Sequence, residues 1–331
     1  MIWETSLEET GAYDQAIALL FEGFEKETGT RIAPGERAKV GLKLNTRSGR
    51  GLATPLPLIR AVIAELEMRG FSRQSILLID SNRHALHRAG VLSFSTLESD
   101  LFEGCPVLAL DSGQYFDEDW FYDSPLPPTL RENPNSFFRM ETDRGSLDVG
   151  DRQRKSFLPM PLIEDVDFWI NLATVVDDPA LGIDGAMASA TLWNVGNSQR
   201  FLANDATAAA ALAEIAAIPE LRERLLFHCV SLGRYQYIGG PMFHSRYTQS
   251  EPKIWLGSDA VAIDRLFLER MNRLRVLEGF PRMDPLPRQF PFAVSLGLGT
   301  DDLNHIEVRS ILSENDSNRD SVFPDLRGTD E

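Results

Sequence analysis

KVGLKLNTRSGRGLATPLPLIRAVIAELEMRGFSRQSILLIDSNRHALHRAG, residues 39–90, is the stretch whose reading decides the fold. Val40, Leu42 and Leu44 alternate with other residues, the period-2 pattern of a short strand over 39–44. Asn45 to Ala53 is polar and carries Gly49 and Gly51, which permit φ > 0 and close backbone approach. Thr54 followed by Pro55 predicts a helix start, with a hydroxyl cap and a proline where no N–H is needed. Leu58, Ile59, Val62, Ile63 and Leu66 form an apolar stripe at helical spacing, and Gly70 closes that helix. Ile76 to Ile79 is an apolar run inside a buried strand over 75–80. Strand, helix and strand at these lengths make a right-handed βαβ unit. Ligands of such sheets sit at the carboxyl ends of the strands, and that edge holds Asn45, Thr46, Arg47, Asp80, Asn82 and His84.

Outward from this unit the pattern continues as α/β. Residues 12–27 read as an amphipathic helix built on Ile17, Leu20, Phe21 and Phe24. Further strands are expected at 103–110, 167–176, 227–233, 253–256 and 306–309. Helices are expected from Ala186 to Trp193, from Ala206 to Ala217 with Asp205 as cap, and from Asp259 to about Val276 with Ser258 as cap. The resulting fold class is α/β, with a mainly parallel sheet flanked by helices. Between about 111 and 161 the texture changes to prolines and aromatics, among them Pro125, Pro127, Pro128, Trp120, Phe121, Tyr122, Phe137 and Phe138. That insertion reads as hairpins and loops packed by their own side chains, a structural flap or a hydrophobic lid. The expected organisation is a single α/β domain over 1–310 followed by an acidic, disordered tail over 311–331.

Composition bounds the function. The chain has 331 residues and a formal net charge of −16, which argues against general nucleic-acid binding, since that needs a basic surface. Two cysteines cannot build a CxxC-based metal or iron–sulfur site, so no iron–sulfur cluster is expected and no other cofactor is identified. No run approaches the ~18 apolar residues of a membrane span. The opening MIWETSLEETG has no basic or apolar signal region, so the sequence as it stands reads as cytoplasmic; it would be periplasmic if a signal had been removed. Nothing in the sequence reports oligomeric state.

Four groups of residues carry the candidate chemistry. The loop Asn45–Thr54 offers backbone amides and Arg47 at a helix start, a geometry suited to a phosphate or carboxylate, yet it matches neither GxxxxGK[ST] nor GxGxxG. The plain alternative is a βα turn with solvated arginines. Asp80 with His84 is an acid–base pair on one edge, and with His87 a metal set; polar surface residues are the alternative, and no metal is assigned. His228 alternates with Cys229 on a strand and is either a proton-transfer residue or a satisfied core histidine. Asp264 falls inside the apolar stripe Val261, Phe267, Leu268, Met271, Leu274, where a carboxylate needs a partner; it is a catalytic candidate, and the alternative is a structural hydrogen bond or ion pair that anchors the helix. Arg234 and His244, on either side of the Gly239-Gly240-Pro241 turn, complete the ligand-binding set with Asn45, Thr46, Arg47 and Thr54.

Several stretches together resemble the family called domain of unknown function 362, in its exported bacterial branch. Residues 40–90 resemble its opening, NSQRF at 197–201 the segment after its central helix, and LAEIAAIPELRERLLFHCVSLGRYQYIGGP its helix, strand and Gly-Gly-Pro turn. GSDAVAIDRLFLERMNRLR at 257–275 resembles its Asp-Pro-Val-Ala-x-Asp helix, and SLGLGTDDLNHIEV its end. The likeness covers about residues 12–310. This chain departs from it at Val176-Asp177-Asp178, where the family has a Lys-Asp-His-like run, at Trp193-Asn194, where it has Lys-Asn, and at Ser231, where it has aspartate. The ferredoxin-type cysteines of some members are missing, and the family has no general assigned reaction. The order of strand, Thr-Arg loop, helix, strand and histidine is also similar to the amino-terminal part of nickel-pincer lactate racemases. There the loop arginine holds the cofactor phosphate and histidines transfer protons. That likeness maps onto Thr46, Arg47 and His84 alone.

Three functions follow as expectations. The first is binding of a small anionic ligand at the carboxyl ends of the strands, in a protein of reduced catalytic power. The second is an enzyme using Asp80, His84 or His228 for proton transfer or metal-assisted chemistry. The third is a partner-binding module using the aromatic insertion.

Overall fold

The computed structural model describes residues 1–10, 13–94, 100–124 and 154–311. Its strands are β1 (Ile2–Ser6), β2 (Val40–Leu44), β3 (Ile76–Asp80), β4 (Leu101–Phe102), β5 (Cys105–Ala109), β6 (Phe116–Asp123), β7 (Lys155–Pro159), β8 (Phe168–Ala173), β9 (Val176–Asp178), β10 (Gly182–Asp184), β11 (Leu225–Ser231), β12 (Tyr235–Gln236), β13 (Thr248–Gln249), β14 (Lys253–Gly257) and β15 (Val308–Ser310). Nine of them form one sheet in the order β15-β1-β14-β11-β8-β2-β3-β5-β4.

The sheet is mixed. β11, β8, β2, β3 and β5 run parallel through its centre, so the strands at 40–44, 76–80 and 168–173 are parallel neighbours. β14 pairs antiparallel with both β11 and β1, and β4 pairs antiparallel with β5. The expectation of a mainly parallel sheet therefore does not describe the whole. It missed β1 altogether, because IWETS has no clean alternation and is buried on both sides.

Helices cover both faces. Tyr13–Thr28 and Leu56–Met68 lie on one, burying Ile17, Leu20, Phe21, Leu58, Val62 and Leu66 against Val40, Leu42, Leu172 and Phe227. Ala186–Ala190, Asp205–Ala216, Ala260–Leu277 and Gln289–Ser295 cover the other, around Trp169, Val230 and Trp255. Several start signals shift by one residue. Pro55, not Thr54, is the cap of the helix Leu56–Met68. Asn204 caps Asp205–Ala216 by accepting from the Thr207 amide at 2.9 Å, and Asp259 caps Ala260–Leu277 by accepting from Ala262 at 2.9 Å. In each case the side chain one position away has the extended backbone that a cap requires.

After β8 the chain turns into a small second sheet, β10-β9-β12-β13, which stands over the carboxyl ends of the central strands. The insertion opens and closes as the antiparallel ribbon β6-β7. Phe116 and Phe157 are buried in the main core, and the Tyr122 hydroxyl donates to Glu214 on the helix Asp205–Ala216. The described part of the insertion is thus anchored inward, as a flap would be. Pro125, Pro127, Pro128, Pro134, Phe137 and Phe138 lie outside the described residues, as does the expected tail from 312 on.

Candidate functional site

Asn45–Thr54 leaves β2 and closes on itself. The Asn45 amide donates to Thr54 Oγ1 at 2.9 Å, the Thr54 amide returns to the Asn45 carbonyl at 2.9 Å, and Thr54 Oγ1 donates to the Leu172 carbonyl of β8 at 2.7 Å. Thr54 is therefore a clasp between loop and sheet. Gly49, at φ 83°, lets its own amide reach the Thr46 carbonyl while its carbonyl receives the amides of Leu52 and Ala53, both at 2.9 Å. The amides of 52–54, expected from the sequence to cradle an anion, are all spent inside the loop. Pro57 removes one more donor from the first helical turn.

Arg47 is likewise engaged. Its Nη1 donates to Asp184 Oδ2 at 2.8 Å and to Asp178 Oδ2 at 3.1 Å, and the guanidinium lies 4.1 Å from the Trp193 ring centroid. Trp193 Nε1 donates to the other oxygen of Asp184 at 2.8 Å, and Asp178 Oδ1 takes the amides of Ala180 and Leu181. Burial works against the charge on Arg47, but Asp184 and Asp178 more than reverse it and hold its pKa up. Burial raises the pKa of Asp184 against the pull of Arg47. One cation facing two carboxylates has no positive charge to spare for a ligand. Arg47 instead ties the loop to the small second sheet. Asp178 and Asp184 could have been found in the sequence: each sits in an apolar run, VVDDPALGIDG, where a carboxylate needs a partner.

Asp80, at the end of β3, is locked in the same way. Lys43 Nζ, fully buried, donates to Asp80 Oδ1 at 3.0 Å and also to the Leu44 carbonyl. Thr46 supplies its amide at 2.8 Å and its hydroxyl at 2.6 Å to Oδ2. Every oxygen of Asp80 is occupied, and the arrangement joins two adjacent strand ends as a buried ion pair. His84 is exposed on the short helix Arg83–Ala89 and has no hydrogen bond to Asp80. His87 stacks on Phe94 with centroids 5.0 Å apart. Among the described residues no group of His, Cys, Asp or Glu could hold a metal ion.

His228 is buried on β11, in direct register with Asn171 on β8, which pairs with Lys43 on β2. Asn171 Nδ2 lies 2.9 Å from His228 Nδ1 and donates to the Ala186 carbonyl at 3.0 Å, while its Oδ1 accepts from Ser189 at 2.8 Å. Burial pushes the His228 imidazole down to about 3, so it is neutral near pH 7 and a weak base. Asp264 accepts the amides of Ala186 at 2.6 Å and Met187 at 2.9 Å from the neighbouring helix Ala260–Leu277. A Cβ on Gly185 would lie 2.2 Å from Asp264 Oδ1, so only glycine fits there. Asp264 is an anchor between two helices. Of the four residues singled out for catalysis, Asp80, His228 and Asp264 occupy separate hydrogen-bonded settings and His84 is exposed, and none of them bonds to another.

What the fold does gather at residues 49–51 is a set of arginines. Arg88 Nη2 would lie 2.9 Å from a Cβ on Gly49, and Arg234 Nη1 donates to the Gly51 carbonyl at 3.2 Å. Arg50, between these glycines, is exposed. None of the three has a carboxylate within ion-pair distance among the described residues. The Phe243 ring covers Gly51, Arg234 faces that ring at 5.9 Å, and Met242 and Phe243 are exposed beside it. His244 stacks on Tyr247 at 4.9 Å, and its amide is held by Gln236, so the hairpin is positioned by β12. The sequence pointed to Arg234 but not to Arg88, whose approach to Gly49 depends on how the helix Arg83–Ala89 packs.

No family model, curated protein or solved structure matches the chain. No helix among the described residues is long and apolar enough to cross a membrane.

Proposed function

We propose that the protein binds a small anionic ligand, a phosphate or carboxylate, at the rim formed by Arg50, Arg88 and Arg234. One observation carries this reading. The guanidinium groups of Arg88 and Arg234 converge on a three-residue stretch that itself carries the exposed Arg50, and among the described residues none of the three has a carboxylate partner, in a chain whose net charge is −16. Like charges held together repel unless a counter-charge joins them. The rim lies at the carboxyl ends of the parallel strands, where ligands of such sheets bind. Arg47, whose place in the loop is similar to that of the phosphate-holding arginine of nickel-pincer lactate racemases, is a positioning residue in this proposal. The second sheet and Arg47 keep the loop rigid; the outer arginines meet the ligand.

Calorimetric titration with phosphate, sulfate and small carboxylates tests it. Charge-assisted contacts of this kind contribute on the order of 1.5–3 kcal/mol each, so Arg88→Ala and Arg234→Ala should each weaken binding about tenfold or more. Absence of binding by the wild type, or binding by both variants as tight as that of the wild type, overturns the proposal.

A further inference from the structure

A second feature lies at the opposite edge of the sheet, where β8 and β11 begin. A cavity of about 80 Å³ is walled by Trp169, Met187, Leu225, Val261 and Leu298, with His228 in its lining and Arg222 and Ser258 at its margin. Asn171 decides what His228 presents to it. The Asn171 amide is oriented by two other bonds, with Oδ1 taken by the Ser189 hydroxyl and Nδ2 reaching the Ala186 carbonyl. Its Nδ2 therefore donates to His228 Nδ1, and that nitrogen must be the acceptor. The proton sits on Nε2, for which no described residue supplies an acceptor.

From this geometry we infer that the cavity is a binding site for a small, mainly apolar molecule that presents one neutral hydrogen-bond acceptor, such as a carbonyl oxygen, to His228 Nε2–H. The apolar wall rewards a hydrocarbon body, and a ring N–H that opens on the cavity with no partner among the described residues rewards an acceptor on that body. Because burial holds the imidazole neutral, it offers a dipole and not a charge, which favours a carbonyl over a carboxylate. An apolar cavity of ~150 Å³ takes benzene, so this one suits a ligand of roughly three to four heavy atoms. The site is independent of the arginine rim, which lies at the other ends of the strands.

Acetone and isobutene have the same shape and differ in the acceptor, so they separate the two contributions. Each is titrated into the full-length ¹⁵N-labelled protein while the His228 ring nitrogens are followed by NMR. The expected result is a saturable shift of Nε2 with acetone and at least tenfold weaker binding of isobutene. Leu298→Trp should fill the cavity and abolish the shift while the Nδ1 signal still reports its bond from Asn171. No saturable shift at Nε2, equal binding of the two molecules, or undiminished acetone binding by the folded Leu298→Trp protein would each overturn the inference.

Discussion

Leu42, Ile170 and Phe227 stand in register across β2, β8 and β11, and all three are buried among carbon atoms on one face of the sheet. One residue further along the same strands, on the other face, the row reads Lys43, Asn171 and His228, equally buried. The first row needs only burial. In the second, Lys43 is paired with Asp80, Asn171 makes three bonds, and His228 makes one and opens on the cavity. A polar row inside a core is costly unless satisfied, and carbon would pack there more simply. The difference is one of kind: one face is held by burial of carbon alone, the other by buried polar groups that each need a specific partner.

The largest expected effect that would break this comparison is a pH dependence confined to the polar row. His228 is held down to about 3 in the folded protein against an ordinary 6.5. Below 6.5 the unfolded chain takes up a proton that the fold refuses, so stability present above 6.5 is lost as pH falls towards 3. At about 1.4 kcal/mol per unit this approaches ~5 kcal/mol over the whole window. Denaturant midpoints of wild type and His228→Gln, measured from pH 7 to pH 4, should diverge steadily. Parallel curves would place His228 in an ordinary, solvated setting.

Next in size is the buried pair. Lys43→Met leaves the Asp80 carboxylate without its cation and should cost about 3–5 kcal/mol. Leu42→Ala, next to it on the apolar face, should cost a comparable ~2–5 kcal/mol through a cavity. The two losses differ in rescue. Adding Asp80→Asn keeps an acceptor for Thr46 but removes the charge, so it should restore part of the Lys43→Met loss and none of the Leu42→Ala loss. Equal behaviour of the two double variants in urea unfolding would mean that the Lys43–Asp80 contact has no energetic identity of its own.

The apolar row was legible in the sequence and the polar row was not. Val40, Leu42 and Leu44 announce one buried face, and the same alternation assigns Lys43 to solvent. Only the helices on the far side of the sheet, separated by more than a hundred residues, bury Lys43 as well. Likewise, the loop sequence singles out Arg47, but Asp178 and Asp184, which neutralise it, arrive from a hairpin the local pattern cannot place. Asp264 shows the converse. A carboxylate in an apolar helical stripe demanded a partner, and the structure supplies two amides. Spacing along one element predicts what is buried. It does not predict which distant element answers the charge.

Asp264 also gives the smallest of the expected effects, and one with the opposite sign in pH. Burial pushes its carboxyl up to about 7, with the amides of Met187 and Ala186 pulling it back and Asp184 and Asp259 adding to the rise. A raised carboxyl stabilises the fold fully below its ordinary 3.8 and loses that contribution as pH climbs towards 7. This runs against His228, whose contribution grows over the same range. Asp264→Asn keeps one acceptor and leaves the second amide facing an NH₂ group, which at pH 5 should cost ~1–3 kcal/mol. At pH 8 the cost should be smaller, because wild type then holds a buried charge that the asparagine lacks. Chemical denaturation of both proteins at the two pH values reads the difference directly. A cost that grows from pH 5 to pH 8 would mean that the two amides stabilise the ionised carboxylate more than burial opposes it, and the polar face would then hold a charge where the present reading places a proton.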